Sequence, residues 1–348
     1  MKTTIRLIHT DTLSCEPLLR RMPNGDLLCV SQVGDVAEPA PLNRIRRFRS
    51  TDDGATWKGP GNIYPETGEA VYATEFNVVD GVARVYGQAH SGRFLNMRCF
   101  VMESTDSGYT WDNAGAPPFF PAFTFIRGLL ELRDGTRLLP YQHMPVSEQE
   151  NMRLVTASHN IRDYKKQRAV WHADIRSIQN GVVLTAPDGG APVLCPGPDI
   201  PIKGDTGRRW AWTEPTLAEL SDGRVAMLLR VDKSGRLWRS DSLDGGRTWG
   251  AAEPTDIPNP GNKPKLLALP GGRVGLIHTP NAASGFANRN PLALWISHDD
   301  MASWEERRIL TDFPGIYCYP DGFVEGDRLY FTIEINRHDI LFFLCEGV

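Results

Sequence analysis

Ser50-Thr-Asp-Asp-Gly-Ala-Thr-Trp57 recurs three more times in the 348-residue chain: as Ser104-Thr-Asp-Ser-Gly-Tyr-Thr-Trp111, as Ser242-Leu-Asp-Gly-Gly-Arg-Thr-Trp249 and, in degenerate form, as Ser297-His-Asp-Asp-Met-Ala-Ser-Trp304. Each copy reads as a self-contained turn: Ser and Asp side chains cap backbone N–H groups, Gly takes the left-handed conformation, and Trp packs beneath as an apolar plug. The motif therefore speaks for architecture rather than chemistry.

A second periodicity surrounds the first. A glycine turn followed by an alternating apolar run appears six times, in PNGDLLCV, VDGVARVY, RDGTRLLPY, SDGRVAMLLR, PGGRVGLIH and EGDRLYFTI. The turn glycines are Gly25, Gly81, Gly135, Gly223, Gly272 and Gly326, spaced 56, 54, 88, 49 and 54 residues apart. Each follows another short apolar stretch, and two such runs joined by a glycine turn read as a β-hairpin. The 88-residue step holds one repeat plus an insertion around 160–208, where IRDYKKQRAV and TAPDGGAPVLCPGPDIPIKGDTG are poor strand formers. A long loop over the central face is predicted there.

Composition narrows the class. With 41% hydrophobic and 23% charged residues the chain has material for a sizeable core, which excludes a disordered or collagen-like chain. Thirty-eight Lys plus Arg against 42 Asp plus Glu leave no basic excess for a phosphate backbone, so nucleic acid is not expected as a partner. No apolar window is long enough for a membrane span, and the first residues lack an apolar leader core. The expected location is cytoplasmic, or secreted or periplasmic where a leader has been removed. The six cysteines are scattered without a C-x-x-C pair, and phosphate-loop, His-Glu-x-x-His, Gly-x-Ser-x-Gly and EF-hand patterns are missing. Neither a metal nor another cofactor is expected.

Ser-x-Asp-x-Gly-x-Thr-Trp at this spacing resembles the Asp-box (BNR repeat) of the sialidase, or neuraminidase, superfamily. The resemblance implies an all-β fold: a six-bladed β-propeller of four-stranded antiparallel blades, with residues 1–348 as a single domain. Radial repetition also suits many short antiparallel strands, because it leaves only short, protected edges.

The repeat shows which residues should meet at the mouth of the central channel. Nine residues before each turn glycine stand Glu16, Tyr72, Ile126, Glu214, Lys263 and Tyr317; seven after it stand Gln32, Gln88, Gln142, Arg230, Thr279 and Ile333. Antiparallel neighbours bring both series to the same end. So many charges and amides are costly to bury as core packing, which points to a ligand site or a solvated channel.

The superfamily pattern carries over residue by residue. Trp212-Thr-Glu214-Pro, followed by Arg230, resembles the segment in which a glutamate activates a tyrosine nucleophile and an arginine binds the substrate carboxylate. Asn288-Arg289-Asn290 resembles the segment of a second carboxylate-binding arginine. Ile316-Tyr317-Cys318-Tyr319-Pro320 falls where the nucleophilic tyrosine belongs, and the repeat register selects Tyr317 over Tyr319. Chemically, a neutral tyrosine avoids the repulsion that a carboxylate nucleophile would meet at a carboxylated anomeric carbon, and Glu214 is placed as the base that takes its proton. Two departures stand out. Glu16, in Cys15-Glu16-Pro17, occupies the place of the family's first carboxylate-binding arginine, either pairing with Arg230 or Arg289 or serving as a catalytic carboxylate. The acid/base position falls near Glu38 and Asp35. The expected function is an exo-acting glycoside hydrolase that removes a terminal acidic sugar from an oligosaccharide or glycoconjugate. Gln32, Gln88, Gln142, His90 and His143 are expected to line the substrate. His90 and His143 also support an alternative, a histidine-dependent lyase or rhamnosidase acting on rhamnose–glucuronate linkages. A non-catalytic glycan-binding propeller is the third possibility.

Overall fold

The computed structural model describes residues 1–92, 97–146, 177–202 and 212–348. Six antiparallel sheets account for the strands. The first blade runs outward from β2 (Ser14–Arg21) through β3 (Leu27–Val33) and β4 (Arg44–Ser50) to β5 (Lys58–Asn62). The second is β6 (Ala70–Val79), β7 (Val82–His90), β8 (Arg98–Ser104) and β9 (Asp112–Gly115). In the third blade the inner strand is split into β10 (Thr124–Ile126) and β11 (Leu130–Glu131), both paired to β12 (Arg137–His143), with β13 (Ser177–Thr185) and β14 (Val193–Pro201) outside.

The fourth blade is β15 (Thr216–Glu219), β16 (Val225–Arg230), β17 (Arg236–Ser242) and β18 (Glu253–Pro258). The fifth is β19 (Lys265–Leu269), β20 (Arg273–His278), β21 (Ala293–Ser297) and β22 (Glu306–Ile309). The sixth combines β23 (Tyr317–Glu325), β24 (Arg328–Ile335) and β25 (Asp339–Glu346) with the N-terminal β1 (Lys2–Thr10) as its outermost strand. Pairing of β1 with β25, from Lys2 opposite Glu346 to Thr10 opposite Asp339, closes the ring with the two ends of the chain. Inner strands touch their neighbours all the way round, β2 against β6 and β23, β15 against β19, and β19 against β23. The chain is a six-bladed β-propeller.

Each predicted hairpin turn joins the first two strands of a blade, and all six turn glycines have positive φ, from 58° at Gly326 to 90° at Gly25. The Asp-box turns join the third and fourth strands. In each, the Ser hydroxyl accepts the N–H of the residue four further on: Gly54, Gly108 and Gly246 at 2.8 Å, and Met301 at 2.9 Å. Met301 occupies the glycine place in the degenerate copy and holds φ 65° there. Trp57 of the first blade packs against Phe342 of the sixth at 5.4 Å between ring centres, and Trp111 packs on Phe76 of its own blade at 6.2 Å. Core clusters likewise bridge adjacent blades, as where Leu18, Leu28 and Val30 of the first meet Phe76, Val85 and Phe100 of the second.

The predicted insertion around 160–208 needs correction. Ser177–Thr185 and Val193–Pro201 are the two outer strands of the third blade, paired from Ser177–Pro201 to Leu184–Val193 around an irregularity at Gln179/Gly181. Pro196, Pro198 and Pro201 are tolerated because β14 is an edge strand whose missing N–H groups cost no ladder bond. The rest of that prediction, 160–176 and 203–208, lies outside the described residues.

Candidate active site

The inner strands begin at one mouth of the ring, and there three residues break the strand geometry in the same way. Glu16, Glu214 and Tyr319 each precede a proline and hold φ at 50°, 38° and 56°. Bulges interrupt the pairing between Cys15 and Leu18 and between Cys318 and Asp321. A non-glycine residue at positive φ costs about 1–3 kcal/mol and survives only where its surroundings over-determine it. Bulges of this kind re-aim a side chain out of the sheet. Here they bring the three side chains into one buried pit.

A ladder of ion pairs crosses the pit. Arg127 Nη1 donates to Glu16 Oε2 at 2.9 Å and Nη2 stands 3.7 Å from Glu214 Oε1. Arg230 Nη1 donates to Glu214 Oε2 at 2.9 Å, and its Nε to Asp232 at 2.7 Å. Arg127 lies over the rings of Trp212 and Phe125, at 5.3 and 5.7 Å. Arg289 has no carboxylate partner among the described residues; it donates to Gly261 O at 2.6 Å and Cys318 Sγ at 3.2 Å and lies over the Phe286 ring. Gln142 Oε1 accepts the N–H groups of Glu214 at 2.7 Å and Thr213 at 3.1 Å, which fixes the backbone that carries Glu214.

These neighbours set the protonation states. Burial works to raise the Glu214 carboxyl, but Arg230 and Arg127 overcome it and hold the group below the ordinary carboxylate range. Glu214 is therefore a carboxylate, and its Oε1 accepts no hydrogen bond among the described residues. Burial pushes the Tyr319 phenol well above its ordinary value, and Glu214 and Glu16 push it further. Burial also opposes the charged forms of Arg127, Arg230, Arg289 and Arg337, yet all four are raised, and Tyr319 contributes to each. Glu16 is raised to about 7 by burial, against the pull of Arg127 and with Glu38 and Glu214 reinforcing it. The pit thus combines a neutral phenol with an ionised carboxylate whose field it feels, the two groups that nucleophilic catalysis by tyrosine uses.

Tyr317 is elsewhere. Its hydroxyl donates to Phe313 O and its ring packs with Leu292, Phe331, Ile333 and Ile335 in the core between the fifth and sixth blades. The register that selected it assumed equal hairpins. Residues 22–26 join β2 to β3, but only 326–327 join β23 to β24, so the count from Gly326 overshoots. The shared X-Pro step, Glu16-Pro17, Glu214-Pro215 and Tyr319-Pro320, is the signal that would have found Tyr319. The same extrapolation misplaced Ile126 and Ile333, which pack in apolar clusters.

Of the two acid/base candidates, Glu38 belongs to the pit and Asp35 does not. Glu38 is paired with Arg337, which also stands beside Cys15, Glu334 and Tyr319. Asp35 caps its own loop, accepting the N–H groups of Val36 and Leu42 at 2.8 and 3.1 Å. Arg337 and Glu334, on the last hairpin, carry no motif and were missed. Among the described residues Gln32, buried opposite Cys15, has neither amide atom hydrogen-bonded, and Gln88 donates to Thr124 O with its Oε1 unbonded. His90 Nδ1 accepts the Gly92 N–H at 3.0 Å, and burial depresses the ring to about 3. His143 Nδ1 is 2.9 Å from Thr124 Oγ1, with burial again lowering its pKa. With His90 Nδ1 engaged, the imidazole is poorly disposed as a base. Among the described residues no three His, Cys, Asp or Glu side chains are placed to hold a metal ion, and no helix is long and apolar enough to cross a membrane.

Comparison with known proteins agrees with this architecture. Residues 82–331 match the BNR repeat-like domain. No curated protein sequence matches the chain. Among solved structures, a protein of unknown function from Dyadobacter fermentans superposes with a TM-score of 0.70 at 15% identity over 99% of both chains. The Hadza microbial sialidase Hz136 gives 0.70 at 16% identity, over 97% of this chain and 66% of that one. Trypanosoma rangeli sialidase gives 0.66 at 14%, over 97% of this chain and 55% of its own. Identities this low speak for the fold alone, whereas the match to the repeat domain covers most of the chain: the protein belongs to the BNR repeat-like family and carries the sialidase-superfamily propeller.

Proposed function

We propose that the protein is an exo-acting glycoside hydrolase that removes a terminal acidic sugar from an oligosaccharide or glycoconjugate. The observation that carries this reading is the pairing of opposite protonation states in one buried pit: Glu214 held as a carboxylate with Oε1 unbonded, and the Tyr319 phenol held neutral. Tyr319 attacks the anomeric carbon as Glu214 takes its proton, giving a tyrosyl–sugar intermediate that water then opens. Arg289, the one pit guanidinium without a carboxylate partner among the described residues, receives the substrate's carboxylate, since an uncompensated buried cation is costly. The solved T. rangeli sialidase with 2,3-difluorosialic acid is a covalent intermediate, which is consistent chemistry in a protein of the same fold.

The test is product release from a panel of 4-nitrophenyl glycosides of acidic and neutral sugars, together with 3'-sialyllactose. Release of a monosaccharide by the wild type and its loss in Glu214→Gln support the reading. Sugar binding without any release would instead make the propeller a glycan-binding module.

A further inference from the structure

Resting on that reading, we infer that Glu16 is the proton donor to the leaving group, doing from the first inner strand the work expected of the loop residue Glu38. Each of the two carboxylates is held by one arginine through its Oε2, and they differ in what that arginine also faces. Glu38 spends its Oε2 on Arg337, a guanidinium that also stands beside Glu334. Glu16 is bonded only through Oε2, to Arg127, and its Oε1 takes no hydrogen bond among the described residues. Its backbone is pinned in the strained conformation by its own N–H, which donates to Glu334 Oε2 at 2.9 Å. Arg127 thus carries Glu16 on one amino group and faces Glu214 with the other, so that one rigid guanidinium spaces the two carboxylates across the pit. The Tyr319 phenol lies within the fields of both.

Charge explains why this carboxylate can keep a proton. Glu38 and Glu214 face Glu16 as like charges, Arg127 and Lys263 as opposite ones, and Tyr72 and Tyr319 as neutral phenols. Burial and the two carboxylates outweigh the cations, and the group titrates at about 7. Glu214, with two guanidiniums, is driven the other way, and such a divergence separates acid from base. In the first step the bond from the anomeric carbon to the leaving oxygen breaks as the Glu16 proton passes to that oxygen. The Tyr319 oxygen bonds the anomeric carbon, and its proton passes to Glu214. In the second step water adds to the anomeric carbon and returns a proton to Glu16, while Glu214 gives its proton back to the departing Tyr319 oxygen. The sum is hydrolysis, with both carboxyls restored.

The experiment compares Glu16→Gln, Glu16→Ala and Glu38→Gln on matched aryl glycosides of the sugar that the wild type releases, with 4-nitrophenol and 2,4-dinitrophenol as leaving groups, and on the methyl glycoside. Loss of a general acid costs about 10²-fold or more where the leaving oxygen needs a proton and little where it does not. In kcat/KM, which reports the first step, Glu16→Gln is thus expected to fail on the methyl glycoside and to stay within about tenfold of the wild type on the dinitrophenyl one. Added azide is expected to accelerate Glu16→Ala and yield a glycosyl azide. Equal slowing of kcat/KM on every leaving group, or a leaving-group-dependent loss in Glu38→Gln alone, overturns the assignment and leaves the tyrosine–glutamate reading standing. Should the Glu16 variants fail to fold, the wild-type profile decides: kcat/KM on the methyl glycoside must fall as pH rises through about 7, and a rate flat to pH 9 excludes Glu16 as the donor. A wild type that cleaves nothing defeats both readings together.

Discussion

In the turn at Ser50–Trp57, Asp52 lies in solvent and is nevertheless saturated, accepting the Thr56 N–H at 2.9 Å, the Thr56 hydroxyl at 2.5 Å and the Ser50 hydroxyl at 2.7 Å. In the pit at the other end of the blades, Glu214 Oε1, Arg127 Nη2, Arg289 Nε, Gln142 Nε2 and both amide atoms of Gln32 are buried without a hydrogen bond among the described residues, the first two facing each other at 3.7 Å. Energetics alone would favour the reverse, because a buried polar atom without a partner costs about 1–3 kcal/mol whereas an exposed one is served by water. The Asp-box carboxylates are therefore consumed by their own turns, and on the function proposed above the unbonded atoms of the pit are the ones that hydroxyl and carboxylate groups of a substrate would meet. Positive φ at non-glycine residues occurs on both sides, at Asp53, Ser107, Asp300 and Met301 in the turns and at Glu16, Glu214 and Tyr319 in the pit, but only the three in the pit each precede a proline at the start of an inner strand.

The contrast breaks most visibly if the pit proves dispensable. Tyr319→Phe and Glu214→Gln should each lower kcat by about 10²–10⁴-fold, with folding checked by thermal melting, because each removes a group used in the bond-breaking step. Gln142→Leu comes next. It leaves the Glu214 and Thr213 N–H groups without their acceptor, so a stability loss of about 1–3 kcal/mol by urea titration should accompany a fall in kcat larger than any change in KM. A KM effect alone would make Gln142 a substrate contact rather than the support for Glu214.

On the saturated side the effects are on stability only. Hydrogen bonds from Thr56 pull Asp52 down to about 2, as those from Thr248 help pull Asp244 down to about 2 against slight burial. A carboxyl depressed in the folded state contributes stability above its unfolded value of about 4, and the contribution is lost as pH falls through about 2. Asp52→Ala should lower the melting midpoint at pH 7, flatten its fall between about pH 4 and 2, and leave turnover intact. The smallest effect belongs to Tyr317→Phe, which removes one hydrogen bond to Phe313 O. A drop of about 1 kcal/mol in stability with unchanged kcat is expected, and a dead Tyr317→Phe would return the nucleophile to the sequence-based choice.

The propeller was legible because its signals are local. A turn glycine at positive φ and a Ser/Asp/Gly cap are set by a few adjacent residues, so they recur wherever the blade recurs. Ring closure was not legible, since β1 and β25 pair across the whole chain length without a motif. The outer strands of the third blade were hidden by prolines that an edge strand tolerates. In the site, Glu214, Arg230 and Arg289 were found from their segments. Tyr319 was lost to Tyr317 because counting from a turn glycine is sensitive to turn length, whereas the proline after Glu16, Glu214 and Tyr319 marks the shared bend directly. Arg337, from the last hairpin, has no repeat partner to reveal it.

The measurement that bears most directly on the pit is the site of covalent labelling. The protein is inactivated with an activated fluorosugar of the monosaccharide it releases and digested with trypsin. Tyr317 and Tyr319 fall in one peptide, Ile309–Arg328, so fragmentation is needed to separate them. The expected adduct is on the Tyr319 oxygen, formed in the wild type and missing from Tyr319→Phe. An adduct on Tyr317, or on Glu214 itself, would contradict the arrangement in which Glu214 acts as base for a Tyr319 nucleophile.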